Sequence, residues 1–160
     1  MKTISAETID QAWRDLAVML PGTFTNVVGD FAQEQPFILS YLMAVDEEQL
    51  NEDERELLVF LGTIIWRIMS QGDVPLAKAT AEKIFAAEDN NVNMFRNFQG
   101  KDQSDYYEAI TNMLQSYNQT ELLNFVISVL TEEDEESNVR EDNLGMMMIY
   151  LKTVIDCLDK

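Results

Sequence analysis

Leu144-Gly145-Met146-Met147-Met148-Ile149-Tyr150-Leu151-Lys152-Thr153-Val154-Ile155-Asp156-Cys157-Leu158 is the stretch that decides the fold class. Within it Leu144, Met147, Met148, Leu151, Ile155 and Leu158 stand at offsets 0, 3, 4, 7, 11 and 14. That spacing belongs to one face of a helix and not to the alternation of a strand. Met146 to Tyr150 add a second feature, because steps of about 100° cannot bring five consecutive apolar side chains onto one stripe. Two readings follow: a helix covered on most sides, or a second apolar face for a partner or another copy of the chain. Methionine suits the second, since its flexible thioether repacks easily. Met146, Ile149 and Tyr150 are therefore candidate partner contacts.

The same periodicity extends towards the N-terminus. A first helix is expected from near Ser5, with Ile9, Trp13, Leu16, Ala17 and Leu20 on its stripe and Pro21-Gly22 as its end. A short second helix holds Val27, Val28 and Phe31. Pro36 suits the first turn of a third, whose buried side is read as Phe37, Ile38, Tyr41, Leu42 and Val45. Asn51 with Glu54 three residues on makes a cap for a fourth, which runs to about Gln71 and stops at Gly72.

Asp73 is expected to cap a fifth helix with Pro75 in its first turn, Ala77, Ala81, Ile84 and Phe85 inward, and Lys78, Glu82 and Lys83 outward. A weaker segment with Met94, Phe95 and Phe98 follows Asp89-Asn90-Asn91 and closes at Gly100. Ser104 is read as the cap of a helix bearing Tyr106, Ile110, Met113, Leu114 and Tyr117, and Leu122, Val126, Val129 and Leu130 mark the next. The expectation is an all-α fold: one acidic domain over 1–160, either a compact bundle or an irregular stack of eight to nine helices. An exposed acidic loop is expected at 131–140. The pair from Asn51 to Asp89 resembles a helical hairpin in outline, but no second copy at a fixed period supports a repeat array.

Composition narrows function by what it lacks. The 160 residues contain no histidine and one cysteine, Cys157. The usual general base near neutral pH, the usual activator of a serine or cysteine nucleophile and the commonest transition-metal ligand are all missing. Cys157 has no internal partner for a disulfide, and its neighbours Asp156 and Asp159 raise a thiol pKa, so it reads as a small core residue. Single glycines give no phosphate-binding loop. A reducing cytoplasm is the expected location. The longest apolar run, Leu57 to Met69, spans 13 residues and falls short of the roughly 20 a membrane helix requires.

Twenty-nine acids against 11 bases give a formal charge of -18. Residues 30–56 carry nine acids and one base, residues 102–142 eleven and one, while 57–101 carry four acids and five bases. Such a field disfavours phosphate backbones and anionic membrane surfaces and attracts a basic protein. The run Glu132-Glu133-Asp134-Glu135-Glu136 supplies oxygen ligands but no calcium-loop spacing and no turning glycine, so it reads as a solvated loop and a candidate contact for a basic partner. Glu52-Asp53-Glu54-Glu56 reads as acids complementing a helix start, since all four lie outside the apolar runs.

The expected function is accordingly non-catalytic protein binding, as in a chaperone, adaptor or inhibitor, through acidic and apolar surfaces and without a cofactor. One alternative is an enzyme using carboxylates with magnesium, manganese or calcium, which requires buried acids that meet in a cleft. The other is self-assembly, such as a homodimer, through Met146 to Tyr150.

Overall fold

The computed structural model describes residues 1–132 and 136–159, and the side chains within those spans except at positions 103, 106 and 107. Among the described residues the chain is all-α: α1 (Ala6–Ala17), α2 (Pro21–Glu34), α3 (Pro36–Met43), α4 (Glu52–Met69), α5 (Ala81–Phe98), α6 (Gln103–Ser116), α7 (Thr120–Leu130), a 3₁₀ turn (Glu141–Asn143) and α8 (Leu144–Leu158). No helix among these residues is long and apolar enough to cross a membrane.

Two helices organise the rest. α4 is buried on one stripe by Glu54, Leu58, Leu61, Ile65 and Ile68, and from Leu61 to Trp66 it is buried on every side. α8 is buried continuously from Leu151 to Ile155. The two pack against each other; α1, α2 and α3 cover α4, while α5 and α7 cover α8. One continuous apolar core results, and it removes from water the side chains whose spacing announced the helices. The hairpin outline of Asn51 to Asp89 is not realised, because α5 packs chiefly on α8 instead of α4.

Several boundaries differ from the sequence expectation for identifiable reasons. Pro21 does not end α1; it opens α2 at the first helical position, where its missing N–H loses no bond. Ala17 and Leu20 are exposed as a result. Pro75 opens no helix. Residues 73–80 run without helical structure, because buried Gln35 donates to the Ala77 carbonyl and accepts from the Ala79 N–H, tying that segment down in place of a helix. Asp73 instead accepts from the Lys2 N–H, and Thr80 caps α5.

α5 continues through Asp89-Asn90-Asn91 to Phe98, and Gly100 at φ +84° then turns the chain. Asn91 does not break the helix because its side chain is engaged elsewhere: it donates to Thr153 and Asp156 and accepts from Lys152. Asp102, not Ser104, caps α6. Phe37 and Phe85 are exposed, with Leu39 taking the inward position on α3. Leu123 is fully buried on α7 while Val129 is only half-buried.

The α5–α8 seam is polar at its centre. The Lys152 ammonium reaches Asp156 and Asn91, each at 2.9 Å, and sits 4.5 Å over the Tyr117 ring, while the Tyr117 hydroxyl donates to Asp156 at 2.6 Å. Lys83 does not face away. Its ammonium donates to the Cys157 carbonyl at 2.7 Å, satisfying an otherwise unpaired group in the last turn of α8. Cys157 is buried, and that burial pushes its thiol up to about 11, with Lys83 acting against the shift and Asp156 adding to it.

Close packing between α3 and α4 depends on Gly62. A methyl group there would come within 2.2 Å of Leu42 Cδ1, a side chain with no exposure of its own. Alanine gains at most about 1 kcal/mol of helix propensity, whereas forcing a buried side chain aside costs about 1–3 kcal/mol. Gly62→Ala is therefore expected to lower stability in a denaturant titration. In a Leu42→Ala background, with the obstructing methyls gone, the same change is expected to become neutral or stabilising. A sign that is the same in both backgrounds would show that the contact does not govern the site.

Candidate binding groove

The first three turns of α4 divide by helical position. Glu54 falls on the core stripe; Glu52, Asp53 and Glu56 fall on the outer side, in step with Leu57, Val59 and Phe60, which are half-buried. Acids and large apolar groups thus share one outward strip. α2 and α3 flank it on one side with Phe24 and Met43, and residues 137–140 flank it on the other.

Two hollows open along this strip. One, of about 420 Å³, is lined by Phe24, Leu42, Met43, Val59 and Phe60 with Glu52, Arg55 and Glu56. The other, of about 510 Å³, is lined by Asp53, Glu56, Leu57, Phe60 and Ser137. Glu56 and Phe60 belong to both, so the two lie side by side at the same height on α4, one towards α2 and α3 and the other towards Ser137, with these two residues as the ridge between them. The floor beneath them is firm. Phe60 meets Phe24 at 5.3 Å and Trp13 at 6.3 Å between ring centres, and Trp13 meets Phe125 at 5.3 Å, so rings from α1, α2, α4 and α7 support one another. Met43 beside the groove is 66% exposed, and Leu20, one turn before Phe24, is 74% exposed. Glu52 and Glu56 are exposed, and the nearby base Arg55 is turned to Glu47 at 3.5 Å.

The far wall is fixed by an ion pair that sequence spacing misplaced. Glu54 is not a solvated acid at a helix start: its side chain has no exposure. Asn51 and Glu54 form a reciprocal cap, each side chain accepting from the other's N–H at 2.9 Å. Glu54 also accepts from the Arg140 N–H at 2.8 Å, from its Nε at 3.1 Å and Nη2 at 2.8 Å, and from Asn143 at 3.0 Å. Burial pushes the Glu54 carboxyl up, but these donors, Arg140 first, outweigh it and hold the group down at about 2. Asn138 adds a bond to Asp53 at 2.9 Å, and Asn51 donates to the Asn138 carbonyl at 2.8 Å.

Among the expected contact residues, Met146, Ile149 and Tyr150 are each half-buried on α8, with Met146 and Tyr150 packed against the core and the Tyr150 ring 5.1 Å from Tyr41. None of the three lines either hollow. Glu132 and Glu136 are exposed on the segment that follows α7. Glu133, Asp134 and Glu135 lie outside the described residues. No group of three or more carboxylate or cysteine side chains stands together for a metal ion among the described residues. The groove residues Phe24, Met43, Val59 and Phe60 were missed. Of these only Val59 left a sequence signal, standing with Glu52 and Glu56 at offsets 0, 4 and 7.

The Glu54 arrangement sets a pH dependence with a definite sign. Its folded value of about 2 lies below the ordinary 4.5, so its stabilisation is complete above the latter and is lost as pH falls through the former. The shift corresponds to about 3 kcal/mol at neutral pH. Glu54→Gln is expected to lose on that order at pH 7, with the gap to the parent protein narrowing between about pH 4.5 and 2 in thermal or urea unfolding. A gap that stays constant down to pH 2.5 would show that the charge is not what Arg140 holds. The groove is known from its own geometry alone, for no protein-family model, curated protein or solved structure matches the chain.

Proposed function

We propose that this chain is a non-catalytic binding protein that captures a basic, partly apolar segment of another protein on the outer strip of α4, where two hollows flank Glu56 and Phe60. The observation that carries the reading is the coincidence of an apolar floor with an acidic shoulder on one strip of helix. Leu57, Val59 and Phe60 offer area whose removal from water drives association, and Glu52, Asp53 and Glu56 favour lysine or arginine beside it. A hollow of about 420 to 510 Å³ accommodates large apolar side chains of a partner. The overall charge of -18 draws cations towards the chain from any direction, so the shoulder matters by fixing where they settle.

This reading separates local from bulk attraction. A cationic peptide with interspersed leucines is titrated into the parent chain, into a Glu52→Lys/Glu56→Lys variant, and into a Glu7→Lys/Asp10→Lys control that changes the exposed face of α1 by the same charge. The groove variant is expected to bind about tenfold more weakly than the control, with an unchanged helical spectrum. Equal losses in both variants would leave only the general field and defeat the proposal.

A further inference from the structure

Resting on that reading, we infer that the two hollows take different side chains of one partner segment: a large apolar side chain towards α2 and α3, and a lysine or arginine towards Ser137, with the ridge of Glu56 and Phe60 between them. The linings differ in kind. Phe24, Leu42, Met43, Val59 and Phe60 bring apolar surface to the first hollow from three helices, so an entering leucine or phenylalanine meets carbon on several sides. The second hollow has only Leu57 and Phe60 of that kind, both from α4, and its remaining lining is Asp53, Glu56 and Ser137.

Charge divides the hollows in the same way. Glu56 borders both and discriminates neither. Arg55 lines the first, whereas no base among the described residues lines the second. Arg55 turns to Glu47 at 3.5 Å, but its guanidinium stays positive, so a cation entering the first hollow meets a like charge that counts against it. The second hollow has Asp53 in that place. Asn138 donates to the Asp53 carboxylate at 2.9 Å and holds it, so this charge need not be ordered when a ligand arrives. Leu57 and Phe60 suit the aliphatic stem of a lysine or arginine whose head reaches Asp53 and Glu56, and the Phe60 ring adds attraction for the cation.

Two small probes, n-butylguanidinium as an arginine-like cation and uncharged isopentanol as a leucine-like body, test this by methyl NMR titration. Leu57 lines only the second hollow, and Met43 and Val59 line only the first, so their methyl signals tell the two apart. Butylguanidinium is expected to shift Leu57 and to bind about three- to fivefold more weakly to Asp53→Asn, with little change in Met43→Ser. Isopentanol is expected to shift Val59 and Met43, and to bind about threefold more weakly to Met43→Ser, with little change in Asp53→Asn. Both probes shifting the same methyls, or each probe losing equally in the two variants, would show that the hollows do not divide the chemistry. Failure of either probe to shift its expected methyls also overturns the inference. The reading beneath it is decided separately, by whether the cationic leucine-containing peptide is weakened by Glu52→Lys/Glu56→Lys.

Discussion

A buried carboxylate forces the arrangement of one whole end of this molecule. Glu54 lies on the core stripe of α4, and a charge there is tolerated only if donors reach it. Apart from its own cap, the donors come from Arg140 and Asn143, more than eighty residues further along the chain. The start of α4, the segment leading out of the acidic run and the turn that opens α8 must therefore meet at one point. The donors outweigh the desolvation of the carboxylate, by about 3 kcal/mol at neutral pH. The pairing also makes one register better than its neighbours: slide α8 by a turn and Glu54 is left without its partners. The same register places Ser137 and Asn138 beside Asp53, and so makes a wall where the strip on α4 would otherwise be open.

Negative charge alone cannot give such a surface selectivity. At physiological ionic strength the field decays over about 8 Å, and any cation approaching a chain with 29 acids experiences it. An apolar floor responds differently, since salt does not screen the removal of Phe60 or Val59 from water. The two components divide the work. On the proposed reading the carboxylates would accelerate approach and bias orientation, and the ring cluster beneath would determine how long a well-shaped segment stays. A partner matched to charge only would therefore leave as salt rises, while one that also fills the hollows would persist in part.

Helix existence was legible almost everywhere, because the spacing of Leu58, Leu61, Ile65 and Ile68, or of Leu144 to Leu158, has no strand counterpart. Boundaries were less so. Pro21 and Pro75 are the same residue type with opposite outcomes, one opening a helix and one lying in an extended tie; the difference comes from Gln35, 42 residues away from the carbonyl it binds. The larger miss, Glu54, was readable in principle. It stands four residues before Leu58 and seven before Leu61, squarely on the core stripe, and Arg140 is the lone base among the eleven acids of 102–142. Reading the acids as a block hid that they point in two directions, with Glu54 inward and Glu52, Asp53 and Glu56 outward. The hollows themselves were not readable, for Phe24 and Met43 reach the strip only through the packing of α2 and α3 on α4.

The methionine cluster of α8 has a related explanation. A helix that packs on α4, α5 and α7 presents several sides to neighbours of different shape, and a row of branched side chains would need each neighbour to match it. Met147 lies in the core and Met146 and Met148 pack against it, and their flexible thioethers repack to unlike neighbours more readily than branched side chains. Polar groups then set what the methionines leave loose: Asn143 bonds Glu54 at one end of α8, and Lys152 and Asp156 bond Asn91 towards the other. An adaptable apolar turn between two fixed polar clamps gives a central helix one position along its axis without demanding tight shape matching on every side. Within that arrangement Met147 is fully buried, while Met146 and Tyr150 pack against the core and keep part of their surface in solvent.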